Sequence, residues 1–245
     1  MVAGLRIILT GPTGTLGKRI LEGLLIDSHE VSIIGRDRER LENLVSSLKE
    51  RGLSVRCVST TDLRNIELAR RALQESIACL GGIDALINSA GVWDDTSPWD
   101  LSVDRWIEVY VVNTIAPYTL SLEASRYMNN GGTIINIGCL SALRGHRIYA
   151  PLKPSPAYLA SKASITYLTK QLAEILAPKG IRVVTIAPSW IEKEDLTHSH
   201  RESIKDHVPL KRAADPWEVV EVIRSILYMR TPYITGSVIE ISGGL

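Results

Sequence analysis

The sequence predicts an α/β fold: one doubly wound domain over residues 1–245, a mostly parallel seven-stranded sheet with helices on both faces. Three observations carry that expectation. Short β-branched apolar runs alternate with longer stretches of helical period, the pattern of βαβ units. A glycine-rich turn joins the first run to the first helix, and no repeat, linker or low-complexity stretch interrupts the order. The length is routine for a single α/β domain, which buries roughly 70–75% of its unfolded surface.

The first strand is the apolar run 5–9. Leu16, Ile20 and Leu24 recur at helical spacing, and 31–34 is the second strand. Leu41, Leu44, Val45 and Leu48 form a helix stripe closed by Gly52, in the position that tolerates positive φ, and 55–58 is the third strand. Ile66, Ala69, Leu73 and Ile77 mark the next helix, followed by a strand over 83–87, a long helical region from about Leu101, and a strand over 133–137. A helix over 156–176 and a strand over 181–186 come next. Asp215-Pro216-Trp217-Glu218 reads as a helix start, with an acceptor at the cap, proline in the first turn and Glu at the third position. The run 238–241 closes the sheet. Open sheets of this kind bind ligands at the carboxyl ends of their strands, so function belongs in the loops that follow them.

Composition narrows the partners. With 45% hydrophobic and 22% charged residues and a net charge of +1, no long-range field draws the chain to nucleic acid or acidic lipid, and neither is expected as a partner. No stretch is long and apolar enough to span a bilayer, and the first residues lack the regions of a signal peptide. Cys57, Cys79 and Cys139 are odd in number and lack metal-ligand spacing; no metal site is expected, and the three read as reduced thiols of a cytoplasmic protein.

The turn Thr10-Gly11-Pro12-Thr13-Gly14-Thr15-Leu16-Gly17 follows the first strand. Glycines there let the backbone approach a pyrophosphate, whose charge is met by free N–H groups at the helix N-terminus. The second strand ends in Ile34-Gly35-Arg36-Asp37. A carboxylate at its last residue would accept bonds from the ribose 2′-hydroxyl; Gly35 leaves that place empty and Arg36 can pair with a 2′-phosphate, which favours NADP(H), with NAD(H) the alternative. The bland reading is that Arg36 and Arg38 are solvated charges and Asp37 caps the helix.

At the other end of the chain, Tyr158-Leu-Ala-Ser-Lys162 puts a phenol and an ammonium on one face of a helix. A lysine beside the phenol favours phenolate, so Tyr158 can exchange a proton with a substrate oxygen while hydride moves, and Lys162 can hold the nicotinamide ribose. Tyr149-Ala-Pro-Leu-Lys153 has the same spacing, but Pro151, Pro154 and Pro156 forbid an ordinary helix there, and Tyr149 reads as a loop aromatic at the pocket rim.

Taken together, these residues resemble the short-chain dehydrogenase/reductase family over essentially the whole chain. The glycine turn, Asp62 after the third strand, Asn88-Ser-Ala-Gly91 after the fourth, Asn113 in the long helix, Tyr158 with Lys162, Pro188 after the sixth strand and Tyr233-Ile-Thr-Gly236 before the last all fall in family order. The resemblance implies a compact single-domain Rossmann fold that transfers hydride between NAD(P) and a small-molecule ketone or secondary alcohol. It implies that Gly11, Thr13, Gly14, Leu16, Gly17, Arg36, Asp62, Leu63, Asn88, Ala90, Gly91, Pro188 and Ile191 bind the cofactor with Tyr158 and Lys162, that Asp62 contacts adenine, and that Asn113 holds a water in a proton relay behind Lys162. It also implies a homotetramer or homodimer built through the helices containing Asn113 and Tyr158.

Three departures from the family pattern stand out. The middle glycine of the turn is Gly14, with Thr15 where compact members carry glycine. Pro188 is followed by Ser189 rather than glycine, the usual threonine is replaced around Lys193, and the lid over 190–207 is not readable. The family's catalytic serine aligns with Cys139, a weaker donor than a hydroxyl, while Ser141 would share its face if the strand continued. Either residue can steady the substrate oxygen, and Cys139 also admits an alternative function, a nucleotide-binding redox-sensing regulator with little catalysis. Among the remaining residues, Trp93, Trp99 and Trp190 are candidates for an apolar pocket wall, His146, His198, His200 and His207 fall in predicted loops, and Met128 and Met229 read as core or interface filler.

Overall fold

Seven strands and nine α-helices alternate in the computed structural model, which describes residues 4–128, 131–144, 153–229 and 233–245. The strands are β1 Arg6–Thr10, β2 Glu30–Gly35, β3 Cys57–Thr60, β4 Ala85–Asn88, β5 Gly132–Ile137, β6 Ile181–Pro188 and β7 Val238–Ile241. The helices are α1 Thr15–Ile26, α2 Arg38–Glu50, α3 Ile66–Leu80, α4 Val103–Tyr110, α5 Ala116–Ala124, α6 Leu140–Arg144, α7 Pro156–Leu176, α8 His198–His207 and α9 Pro216–Leu227. The sheet runs β3-β2-β1-β4-β5-β6-β7, and every pairing is parallel rather than merely most of them.

Strand residues alternate between two cores because successive side chains point to opposite faces. Ile8, Leu86, Ile134 and Val183 pack against α3, α5 and α7. Ile7, Leu9, Ile87, Ile135 and Val184 pack against α1, α2 and α9. Both faces being covered explains why the strands read as continuous apolar runs. Each large aliphatic side chain buried here contributes about 1.5–3 kcal/mol.

Helix starts follow local chemistry. Side chains of Asp37, Asn65, Ser102, Ser155, Thr197 and Asp215 cap α2, α3, α4, α7, α8 and α9. Asp215 and Glu218 close the expected capping box, and Gly52 takes its expected positive φ of 75°. Helix α1 differs: Gly14 stands at its N-cap and no side chain bonds its first N–H groups.

Several expectations are corrected. The third strand lies two residues later than 55–58 because its pairing with β2 runs from Ser32 with Cys57 to Gly35 with Thr60. The long helical region is divided by a π-helical turn, Val111–Ile115. His198, His200 and His207 belong to α8, where His200 Nδ1 accepts from the Thr197 N–H at 3.2 Å, while His146 lies outside the described residues. Cys57 and Cys79 are not thiols: they form a disulfide between β3 and α3. An odd count leaves one cysteine over, here Cys139, but says nothing against a pair, and packing of α3 on the edge strand brings residues 22 apart in sequence to a Cα separation of 6.5 Å.

Candidate active site

Strands β1 and β4 are neighbours from which the chain winds outward in opposite directions, and the crevice at their carboxyl ends is where such a sheet leaves room for a ligand. A cavity of about 290 Å³ lies there. Gly11, Gly14, Leu16 and Gly17 line it from the first turn, Gly91 from the loop after β4, Cys139 and Ser141 from the segment after β5, Tyr158 and Lys162 from α7, and Pro188 and Ile191 from the segment after β6.

The first turn depends on two glycines. Gly11 has φ +70° and lies so close to Ala90 that an added Cβ would come within 2.5 Å of its Cα. A Cβ on Gly17 would meet the Gly11 carbonyl at 2.1 Å. Gly14 is different: its φ is −76° and a Cβ there would find only the Gly11 carbonyl, at 3.9 Å. The displaced glycine is therefore not needed to build the turn; it leaves open space in front of the uncapped end of α1. The Ala90 N–H donates to Thr10 Oγ1 at 3.1 Å, tying the ends of β1 and β4 together.

Thr13, Arg36, Asp62, Leu63, Asn88, Ala90 and Asn113 do not line this cavity. Arg36 is exposed just beyond β2. Asp37 is committed to the α2 cap, accepting from the Arg40 N–H at 3.1 Å, and Arg40 reaches back to donate to the Thr13 carbonyl at 3.2 Å. Asp62 is clasped by Arg64, whose Nε donates at 2.9 Å and whose guanidinium outweighs desolvation to hold the carboxyl below its ordinary range. Leu63 turns its side chain into the core, which leaves only its backbone free for a ligand. Asn88 Nδ2 donates to Asn136 Oδ1 at 2.9 Å; Asn136 in turn donates to Thr169 Oγ1 at 2.9 Å, and Thr169 bonds Thr185 at 2.7 Å. This buried polar chain crosses β4, β5, α7 and β6 and fixes the strand ends beneath the cavity.

Tyr158 and Lys162 come together as their spacing predicts. Ser155 caps α7 by accepting from the Tyr158 N–H at 3.2 Å. Lys162 Nζ donates to the Ile137 carbonyl at 2.8 Å, and burial lowers its pKa to about 8. The expectation that Lys162 lowers the phenol's pKa is corrected: desolvation, reinforced by the hydrogen bond and charge of Cys139, pushes Tyr158 well above its ordinary value. Strand β5 stops at Ile137 and Ser141 sits on the short helix α6, so Cys139 and Ser141 do not share a strand face. Of the two, Cys139 is the one whose interaction with Tyr158 helps to raise the phenol's pKa.

Asn113 lies in the π-helical turn and spends its amide on the loop after β4. Its Oδ1 accepts from the Val92 N–H at 2.7 Å and its Nδ2 donates to the Val92 carbonyl at 3.0 Å and to Ser161 Oγ at 3.0 Å. A Cβ on Gly91 would stand 3.4 Å from both Asn113 Oδ1 and Lys162 Nζ, so this glycine permits their approach.

Sequence reasoning missed the reach of that loop. Trp93 packs against Tyr158 with ring centroids 4.8 Å apart and planes inclined at 59°. The Asp94 carbonyl accepts from the Ser155 N–H at 2.8 Å, and its carboxylate accepts from Arg105 Nε at 2.7 Å. Burial works to raise the Asp94 pKa, but Ser155, Arg105 and Thr96 outweigh it and keep the carboxyl ionised below its usual range. The residues were readable as a cap and a helix charge, but which loop would meet which cap is a tertiary fact. Trp190 also lines the cavity, whereas Trp99 is 94% exposed. Met128 is buried in the core on the α3–α5–α7 face and Met229 packs against the core on the opposite face. Tyr149 lies outside the described residues, and Lys153 is exposed.

Among the described residues, no cluster of His, Cys, Asp and Glu could hold a metal ion and no helix is long and apolar enough to cross a membrane. Residues 16–245 match a family model described as enoyl-(acyl carrier protein) reductase. An acetoacetyl-CoA reductase of Acinetobacter sp. (strain RA3849) is 30% identical, over 97% of this chain and 96% of its own. A dehydrogenase/reductase of Sinorhizobium meliloti 1021 superposes with a TM-score of 0.88 at 28% identity, over 99% of this chain and 95% of that one. A short-chain dehydrogenase of Burkholderia cenocepacia J2315, solved in complex with NADP, superposes with a TM-score of 0.87 at 26% identity, over 98% and 97%.

Proposed function

The chain belongs to the short-chain dehydrogenase/reductase family, and from that premise we propose that it moves hydride between NADP(H) and a ketone or secondary alcohol, with Tyr158 exchanging the proton. The observation that carries this reading is convergence: the glycine turn, Tyr158, Lys162 and Cys139 all line one cavity at the carboxyl ends of the strands.

The residues fit a dinucleotide. The uncapped N-terminus of α1, with open space in front of Gly14, would hold the pyrophosphate. Arg36 would take a 2′-phosphate, with Asp37 occupied by its cap and no carboxylate at Gly35 to favour a free ribose hydroxyl; the relative solved with NADP agrees, and NAD(H) is the alternative. Asp62 and the Leu63 backbone would flank adenine, and Ala90, Gly91, Pro188 and Ile191 the nicotinamide half.

The chemistry the cofactor supplies when bound is hydride transfer. The protein's part is proton delivery and positioning. A phenol held protonated suits the reductive direction, in which Tyr158 donates to the carbonyl oxygen as it becomes alkoxide. Cys139 orients that phenol, Lys162 holds a cation behind it, and Asn113 fixes the strand-end loop against α7; a water behind Lys162 would complete a proton relay. Ser141, on the same cavity wall, is available as a second donor.

We propose one domain over residues 1–245, working in the cytoplasm as a homodimer or homotetramer. Tyr167 on α7 and Ile115 in the π-helical turn are exposed around a second, apolar cavity of about 580 Å³ on the α4–α5–α7 face. Titration with NADPH and NADH, then a carbonyl panel followed at the cofactor absorbance, tests the function. Tight NADPH binding with turnover supports it. Binding without turnover of any carbonyl supports the redox-sensing regulator instead, the reading that the exchange of serine for Cys139 favours.

A further inference from the structure

What enters beside Tyr158 is decided by the wall it meets, and that wall is Trp93. Trp93 is 44% exposed, yet it is not a loose surface residue. The residue before it is held by both backbone bonds to Asn113, and its own carbonyl accepts from Arg105 Nη2 at 3.4 Å. The residue after it is bound through its carbonyl to the cap of α7 and through its carboxylate to Arg105. Three consecutive residues are thus anchored to α4, to the π-helical turn that carries Asn113 and to the cap of the helix that carries Tyr158, and the indole ring lies 4.8 Å from the phenol ring, centroid to centroid.

The charge around that position is equally defined. Among the described lining residues, Lys162 is the one cation, and its ammonium already donates to the Ile137 carbonyl at 2.8 Å. Arg105 and Asp94 neutralise each other behind Trp93. Among the described residues, Pro154 and Trp190 add apolar surface to this lining beside the hydroxyls of Ser141 and Ser189. Among the described lining residues an anionic group next to the reacting carbonyl would meet no cation but the already engaged Lys162 and would be stripped of water at a severe penalty, whereas a flat apolar group gains contact with the indole.

Resting on the reductase reading above, we propose that Trp93 is a specificity-determining residue and that the substrate is an uncharged carbonyl compound carrying an apolar ring, laid against the Trp93 indole while its oxygen faces Tyr158.

Three probes separate the two parts of this inference: methyl benzoylformate, benzoylformate and methyl pyruvate, each with saturating NADPH. The expected kcat/KM for the aryl ester exceeds that of the matching acid by about a hundredfold, from the uncompensated carboxylate, and that of the methyl ester by about tenfold, from aromatic contact and area. Trp93→Ala is expected to collapse the aryl-to-methyl ratio to within about threefold, chiefly through KM, and Trp93→Phe to retain most of it. Equal use of acid and ester, a comparison that needs no variant, overturns the inference, as does an aryl-to-methyl ratio unchanged in Trp93→Ala. If the wild-type protein binds NADPH but turns over none of the three probes nor any ketone of a wider panel, the reductase reading itself fails and takes this inference with it.

Discussion

Breaking the Cys57–Cys79 bond should soften the β3 edge of the sheet, and the size of the effect can be worked from the chain. The cysteines lie 22 residues apart, and closing a loop of that length removes unfolded-state entropy worth about 3 kcal/mol at 25 °C. For a chain of this size each kcal/mol moves Tm by about 2–4 °C, so Cys79→Ser is expected to lower it by roughly 6–12 °C. Cys79 is exposed, so serine there adds no buried polar group, and Cys139 is remote from the change. Differential scanning calorimetry of wild type and variant, with and without a phosphine reductant, is the assay. The reductant should lower the wild-type Tm to that of Cys79→Ser and leave the variant unmoved. A thiol titration in denaturant should count one cysteine before reduction and three after. Three reactive thiols in protein purified without reductant, or equal Tm values for wild type and Cys79→Ser, would refute the pairing and its stabilising role.

Other outcomes are open to measurement. Gly17→Ala forces a Cβ against the Gly11 carbonyl and should cost about 1–3 kcal/mol in denaturant unfolding, whereas Gly14→Ala should unfold like wild type and lose cofactor affinity in a fluorescence titration. Arg36→Ala should weaken NADPH about 10- to 100-fold and NADH little; equal losses would contradict the 2′-phosphate assignment. Lys162, with its pKa lowered to about 8 from 10.5, binds its proton less readily folded than unfolded. Stability from this group is therefore present above pH 10.5 and is lost as pH falls through 8, by up to about 3 kcal/mol. Lys162→Met should be more stable than wild type near pH 7, with the gap closing towards pH 10 in urea titrations; a pH-independent gap would deny the desolvation.

The layout of the sheet was legible because both of its faces are buried. Runs such as Ile7-Ile8-Leu9 and the wholly buried β6 can only be central parallel strands. The Tyr158 and Lys162 pairing was legible because helical spacing alone puts them on one face. What escaped were features decided by packing between distant segments. Nothing local marks Cys57 and Cys79 as partners, since their approach depends on how α3 lies on β3. The Tyr158 pKa could not be read from a neighbouring lysine, because desolvation and Cys139 set it and Lys162 faces Ile137. The strand continuation that would have put Ser141 on the face of Cys139 does not occur, because β5 ends two residues before Cys139 and the chain turns into α6. The tie from Asp94 to Ser155 joins residues 61 apart, and only the fold reveals that it holds Trp93 against the phenol.

The measurement that bears most directly on the central claim is hydride transfer by Tyr158→Phe, followed at the cofactor absorbance with a ketone the wild-type protein reduces. Phenylalanine keeps the ring that packs against Trp93 and removes only the proton donor. The account predicts an NADPH dissociation constant within about twofold of wild type and a kcat lower by about 10²–10⁴. A kcat equal to wild type would show that the proton comes from elsewhere and that the convergence on Tyr158 has been misread.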